Sequence, residues 1–171
     1  MKENALFYRE YRGKVIVRVK GKGRWVEGKS FRDFCEKKFK EGKEIYLDLA
    51  ECQILDSTFL GIIVAFLTQG KKIFLFNVKS PHIWRSLRTL GLEEIIPVIN
   101  EKEVPAFPEE TKEWEIPVFS LSLKEEKEIV SQAHLTLVKA VPANLSRFQG
   151  VLDLMEKEER ESLRRIPWRK K

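Results

Sequence analysis

The chain has 171 residues, of which 43% are apolar and 34% charged, and its formal net charge is +6. This length suits one domain of ordinary size plus an extension, because single domains cluster near about 100–150 residues. The longest near-apolar run, residues 59–67, is far shorter than the roughly 20 residues that cross a bilayer, and no signal peptide is readable at the start. We therefore expect a soluble, cytoplasmic protein without a membrane partner.

The cysteines and histidines match no metal-binding or catalytic pattern. Cys35 and Cys52 are separated widely and form no CxxC pair, so we expect two buried free thiols in a reducing compartment. His82 and His134 stand apart from each other and from the cysteines, and surface or capping roles are expected for both. These residues suggest no metal, no cofactor and no nucleophile–base pair.

Basic side chains are concentrated near the start of the chain. Residues 9–43 carry 13 Lys and Arg against 5 Asp and Glu, and a patch of this kind can face nucleic acid or an acidic protein. Acidic residues alternate with the lysines there, and no nucleic-acid-binding motif accompanies them. We expect no nucleic-acid partner.

Strand and helix patterns alternate over residues 1–100. They predict strands at 5–10, 14–19, 44–49 and 72–78, helices at about 30–41, 58–70 and 81–91, and a short helix or strand at 92–99. The strand at 72–78 is apolar nearly throughout, as is typical of a central strand covered by helices. The order predicts an α/β fold with a mixed sheet of about four to five strands covered by helices, in which 44–49 and 72–78 are parallel neighbours.

The remaining residues divide into a connection and an extension. Residues 101–121 contain prolines and several large apolar residues, so we expect a connecting segment packed on the domain of residues 1–100. Residues 122–171 predict a C-terminal extension of two amphipathic helices, the first opened by a capping box at Ser122 and Glu125. Their apolar stripes must be buried against the domain, each other or a partner, and a charged tail from residue 156 is expected to fray.

A polar interruption at the start of one predicted helix is the most informative motif. In ILDSTFLG, residues 54–61, Asp56 and Ser57 precede a buried apolar run. Both are preferred N-cap residues, which is the simpler interpretation. The same position also suits a phosphate on Ser57, because the start of a helix attracts negative charge.

The wider stretch YLDLAECQILDSTFLG, residues 46–61, resembles the signature of the STAS family, the sulfate-transporter and anti-sigma-factor-antagonist domain. The resemblance continues through residues 70–98. It implies a STAS-like fold and a bacterial regulator of transcription. In regulatory members, the serine matching Ser57 is phosphorylated by an anti-sigma factor that is a serine kinase of the histidine-kinase-like ATPase type. The unphosphorylated form binds that kinase and so frees a sigma factor.

For this chain the resemblance implies that Ser57 is the phosphate acceptor, with Thr58 as a secondary acceptor and Asp56 positioning the serine. The implied partner-binding residues are Asp56, Ser57, Thr58, Phe59 and Leu60, and a serine phosphatase is a further partner. Phe59 stands where many antagonists have glycine, so it either packs into the core or enlarges an apolar docking surface.

Two other functions stay open. One is a STAS scaffold that is never phosphorylated, in which Ser57 only caps its helix and the extension forms a homodimer or docks another regulator. The other is an enzyme, which is the weakest, because Gly70-Lys71-Lys72 lacks the GxxxxGK[ST] spacing of a phosphate-binding loop. For the enzyme alternative, a nucleotide pocket beside the Asp56 loop is still open, although no residue pattern requires one. The sequence therefore predicts a phosphorylation-switched, protein-binding regulator rather than an enzyme.

Overall fold

The computed structural model describes residues 2–164, apart from the side chains of residues 159 and 162–164. The strands are β1 (Ala5–Tyr11), β2 (Lys14–Gly23), β3 (Glu44–Asp48), β4 (Cys52–Leu55), β5 (Ile73–Phe76) and β6 (Trp114–Ile116). The helices are α1 (Trp25–Lys40), α2 (Ser57–Thr68), α3 (Pro81–Thr89), α4 (Leu123–Ala140) and α5 (Leu145–Arg164). Among these described residues, no helix is long and apolar enough to span a membrane.

The longest strand, β2, organises the sheet. Its first half pairs in parallel with β3, and its end, from Gly21 to Gly23, pairs in parallel with β4. β5 is parallel to β3, whereas β1 is antiparallel to both β2 and β6. The order β5-β3-β2-β1-β6, with β4 beside the end of β2, confirms the mixed sheet and the parallel pair of β3 and β5.

Two strands and one strand position differ from the sequence prediction. The sheet has six strands rather than about four to five, because it includes β4 and β6. These strands have four and three residues, which is too few for an alternating pattern to indicate them in the sequence. The prediction of a central strand at 72–78 is wrong, because β5 ends the strand order. Its outer edge is bonded instead to a turn: Leu75 N–H donates to Pro97 O at 2.9 Å, and Ile99 N–H donates to Leu75 O at 2.8 Å. Residues 92–99 thus form turns and one bridge.

Helix α1 begins five residues before the predicted start. The Glu27 carboxylate accepts a hydrogen bond from Arg24 N–H at 2.9 Å and caps the first turn. Gly28 follows in that turn and does not extend the apolar stripe that begins at Phe31, so hydrophobic spacing misses it. The caps predicted for α3 and α4 are confirmed, with Ser80 and Ser122 accepting bonds from backbone amides.

The two faces of the sheet are covered differently. Val15, Val17 and Val19 of β2 belong to the main core, which also holds buried apolar residues from each of the five helices. The opposite face forms a second, smaller cluster of Ile16, Tyr46 and Phe76. Its cover comes from Val104 and Phe107 in the connecting segment rather than from a helix. Helices therefore cover one face, whereas the uniformly apolar strand at 72–78 suggested helices on both.

The C-terminal extension packs on α2 through α4. The helices approach so closely that a Cβ added at Gly61 would lie 2.6 Å from Ala133 O and 2.7 Å from Ala133 Cβ. Beyond α4, the buried Asn144 side-chain amide donates to Leu90 O and Leu137 O at 3.0 and 3.2 Å. α5 then continues to Arg164, so the tail predicted to fray is helical as far as the described residues reach.

We predict that Gly61→Ala lowers the free energy of unfolding by about 1–3 kcal/mol, because the added methyl group has no room unless α4 moves. Gly150→Ala is the matched control, since it lies in α5 with no atom within 4 Å of an added Cβ. Its greater helix propensity should stabilise the protein by up to about 1 kcal/mol. Urea unfolding of the full chain measures both, and a Gly61→Ala protein as stable as wild type would contradict the tight contact.

Candidate functional site

Asp56 holds the starts of two helices together. As the N-cap of α2, its carboxylate accepts a hydrogen bond from Phe59 N–H at 2.8 Å and another from Trp25 N–H at 2.8 Å, at the start of α1. Its own N–H donates to Gly23 O at 2.9 Å. Burial raises the pKa of the Asp56 carboxyl above its usual range, although the two amide bonds act to lower it. Asp56 therefore positions Ser57 through the backbone, by fixing where α2 begins.

Ser57 is the first residue of α2, is partly exposed, and contacts the extension. Its Oγ lies 2.9 Å from His134 Nε2 of α4, a hydrogen bond whose donor is set by the histidine tautomer. His134 is only 6% exposed, and its ring stacks on Phe148 of α5 with centroids 4.3 Å apart and planes 13° from parallel. Burial lowers the pKa of His134, which keeps the imidazole neutral.

The sequence prediction for His134 is wrong, because the residue is buried against Ser57 rather than on the surface or capping a helix. Only the packing of α4 on α2 joins two residues that are 77 positions apart. The sequence offered one signal of the burial of His134: it follows Ala133, which lies in the apolar stripe of the same helix.

The Ser57–His134 pair is incomplete as a catalytic arrangement. His134 Nδ1 is buried without a hydrogen-bond partner, so no acceptor fixes the tautomer as the aspartate of a serine–histidine–aspartate triad does. The pair therefore holds the serine hydroxyl in place, and the described residues provide no group that would activate it further.

The other residues predicted for the site lie beneath the surface. Thr58, Phe59 and Leu60 are all buried, and the Phe59 ring stacks on Phe31 with centroids 4.5 Å apart. Of the two roles expected for Phe59, the structure shows the core role. In this conformation only Asp56 and Ser57 of the predicted set reach the surface.

The remaining reactive side chains lie away from the site or take no part in it. Cys35 and Cys52 are free and buried, as predicted, and burial raises the pKa of both thiols, that of Cys52 to about 11. Among the side chains that the structure describes, no three from His, Cys, Asp or Glu are grouped so as to hold a metal ion.

Comparison with known proteins supports the fold. No protein-family model matches the chain, and no curated protein sequence matches it either. Among solved structures, the anti-sigma factor antagonist SpoIIAA in its unphosphorylated form aligns with a TM-score of 0.50 and 17% identity, covering 58% of this chain and 91% of that one. At this identity the similarity shows a shared fold, so the predicted STAS fold is confirmed.

Two further solved structures align less well. A candidate anti-sigma factor antagonist from Thermotoga maritima has 22% identity and a TM-score of 0.48, with 55% of this chain and 84% of that one covered. The Bacillus cell fate determinant SpoIIAA in its phosphorylated form has 18% identity and a TM-score of 0.46, with 58% and 95% covered.

We predict that the protein is less stable at pH 5.5 than at pH 7.5, partly because of His134. Its pKa is lowered below the 6.5 of a free histidine, so the unfolded state binds the proton more readily. The stability from a neutral His134 is present well above pH 6.5, the pKa of the unfolded state, and is lost progressively as the pH falls below it.

Urea unfolding at the two pH values measures this effect. His134→Gln should reduce the difference, whereas His82→Gln, which changes an exposed histidine, should leave it unchanged. The raised pKa of Asp56 has the opposite effect on the pH dependence of stability, but Asp56 is present in every variant and so does not alter the comparison. Equal pH dependence in wild type and His134→Gln would contradict a buried neutral imidazole.

Proposed function

We propose that this protein is a cytoplasmic regulator that binds an anti-sigma factor of the histidine-kinase-like ATPase type, and that phosphorylation of Ser57 by this serine kinase switches the binding. The observation that carries the proposal is the place of Ser57, a partly exposed serine at the first residue of α2 directly after the N-cap Asp56. The fold shared with SpoIIAA supports it, and that protein has been solved in unphosphorylated and phosphorylated forms.

The physical basis of the switch is charge. A phosphoryl group adds about −1.5 to −2 charges to a position that now carries a neutral hydroxyl. The start of α2 favours a negative group, but the Asp56 carboxylate is its immediate neighbour and already takes the Phe59 amide. A partner that docks on Asp56 and Ser57 would therefore meet a different surface after phosphorylation, with Thr58, Phe59 and Leu60 supporting it from below. A serine phosphatase would restore the first state.

We expect that incubation of the full chain with ATP and a purified kinase of this class places one phosphoryl group on Ser57. Mass spectrometry of peptides covering residues 54–61 should find it in wild type and Thr58→Ala and not in Ser57→Ala. Ser57→Asp should bind the kinase more weakly than wild type, as measured by calorimetry. No phosphate on Ser57, together with unchanged binding by Ser57→Asp, would disprove the proposed function.

A scaffold that self-associates through the C-terminal helices is the second candidate function. It is favoured by large apolar side chains that remain exposed on the extension: Leu135 (46%), Leu145 (46%), Val151 (40%) and Leu154 (57%). Three of them lie on α5, and a homodimer would remove them from water.

If this second function holds, the wild-type protein should sediment as a dimer at micromolar concentration. The double variant Val151→Glu/Leu154→Glu should then sediment as a monomer, because charge replaces the apolar contact. Lys157→Glu changes an exposed charge on the same helix and should leave the dimer intact. A monomeric wild-type protein would rule out the scaffold dimer.

A further inference from the structure

The C-terminal extension lies on the same surface that the proposed switch requires. α4 runs against α2, touching it closely at Gly61 and Ala133 and reaching its first residue through His134. We infer that the extension occupies the docking surface at the start of α2 and that a phosphoryl group on Ser57 and the docked extension exclude each other. Because Ser57 is an acceptor only under the proposed function, this inference rests on that proposal.

Space is the first reason. The 2.9 Å between Ser57 Oγ and His134 Nε2 is a single hydrogen bond, so a phosphorus atom attached to Oγ meets the imidazole ring. The ring has little freedom to turn aside because it is stacked on Phe148. α4 cannot carry the ring to a new position by moving closer to α2, because Gly61 already contacts the backbone of Ala133. Room for the phosphate therefore requires α4 to move away.

Charge is the second reason. The groups at this corner include the Asp56 carboxylate, the buried Glu27 carboxylate and a neutral His134, and the one cation beside them, Arg24, pairs through Nη2 with Glu27 at 3.2 Å while its Nε has no partner among the described residues. A phosphate enclosed by α4 would lose its water in the company of two carboxylates, which is costly. With α4 displaced, the phosphate stays hydrated at the start of α2 and still benefits from the helix amides.

The two events are then linked in both directions. If phosphate favours the displaced extension, displacement of the extension must favour phosphorylation by the same factor. The unphosphorylated protein would keep its docking surface covered by its own helix, and a partner would have to compete with α4. The extension thus lowers the apparent affinity for a partner, because the partner must displace α4 before it can bind.

Hydrogen exchange of the full chain tests the inference without any partner. We expect the backbone amides of α4 to exchange at least about tenfold faster in Ser57→Glu than in wild type. Ser57→Ala removes the hydrogen bond without adding charge and should stay within a few-fold of wild type. His82→Glu adds the same charge at the start of α3 and should change nothing in α4. Unchanged or slower exchange of α4 in Ser57→Glu would overturn the inference.

A second variant opens the contact from the opposite side. Ala133→Leu places a larger side chain against Gly61, so exchange should rise in both α4 and α2, whereas Lys124→Leu at an exposed position of α4 should have no such effect. Protection of β2 and β3 serves in every variant as the internal check that the domain is folded. Equal exchange of α2 in Ala133→Leu and Lys124→Leu would show that α4 does not cover it, against the inference.

The two proposals fail in distinguishable ways. Faster α4 exchange in Ser57→Glu, with no phosphate ever found on Ser57, would leave the steric coupling in place and overturn the proposed function. A Ser57 that accepts phosphate while α4 keeps its protection in the phosphorylated protein would support the function and overturn the inference.

Discussion

One carboxylate fixes the geometry on which the candidate site depends. Asp56 accepts one backbone N–H from the first turn of each helix, that of Trp25 in α1 and that of Phe59 in α2, so the two helices begin side by side at the ends of β2 and β4. The bond from Asp56 N–H to Gly23 O adds a backbone link to the sheet. The N-cap Asp56 sets the position of Ser57. Among the residues that the structure describes, the Ser57 hydroxyl bonds to His134 of α4 in the extension and to no side chain of the domain.

The sequence could predict what short-range patterns specify. Local caps such as Ser122 with Glu125 are as predicted because a few adjacent residues determine them, and the parallel pair of β3 and β5 is as predicted because a helix connects the two strands. The Ser57–His134 contact was out of reach, because it depends on how closely α4 approaches α2. The glycine at position 61 makes room for that approach, and a single glycine in a helix has many explanations.

The connecting segment explains how a displaced extension would remain available. β6 adds a strand beside β1, and Phe107 covers the second face of the sheet. The Phe119 N–H then donates to Ser30 Oγ of α1 at 3.3 Å, just before α4 begins. A helix tethered this near to its own binding surface has a high effective concentration there. Release of α4 would therefore be readily reversed once the charge on Ser57 is removed.

The edge strands of the sheet limit how another protein could bind to this one. At one edge, the backbone of β5 is already bonded to residues 97–99. At the other, β6 offers only three residues and is followed by Pro117, which has no N–H to give. An incoming chain thus finds little free backbone to pair with at β5 or β6. Under the proposed function, a partner would recognise side chains on the helices and turns, and a phosphate on Ser57 would alter that surface.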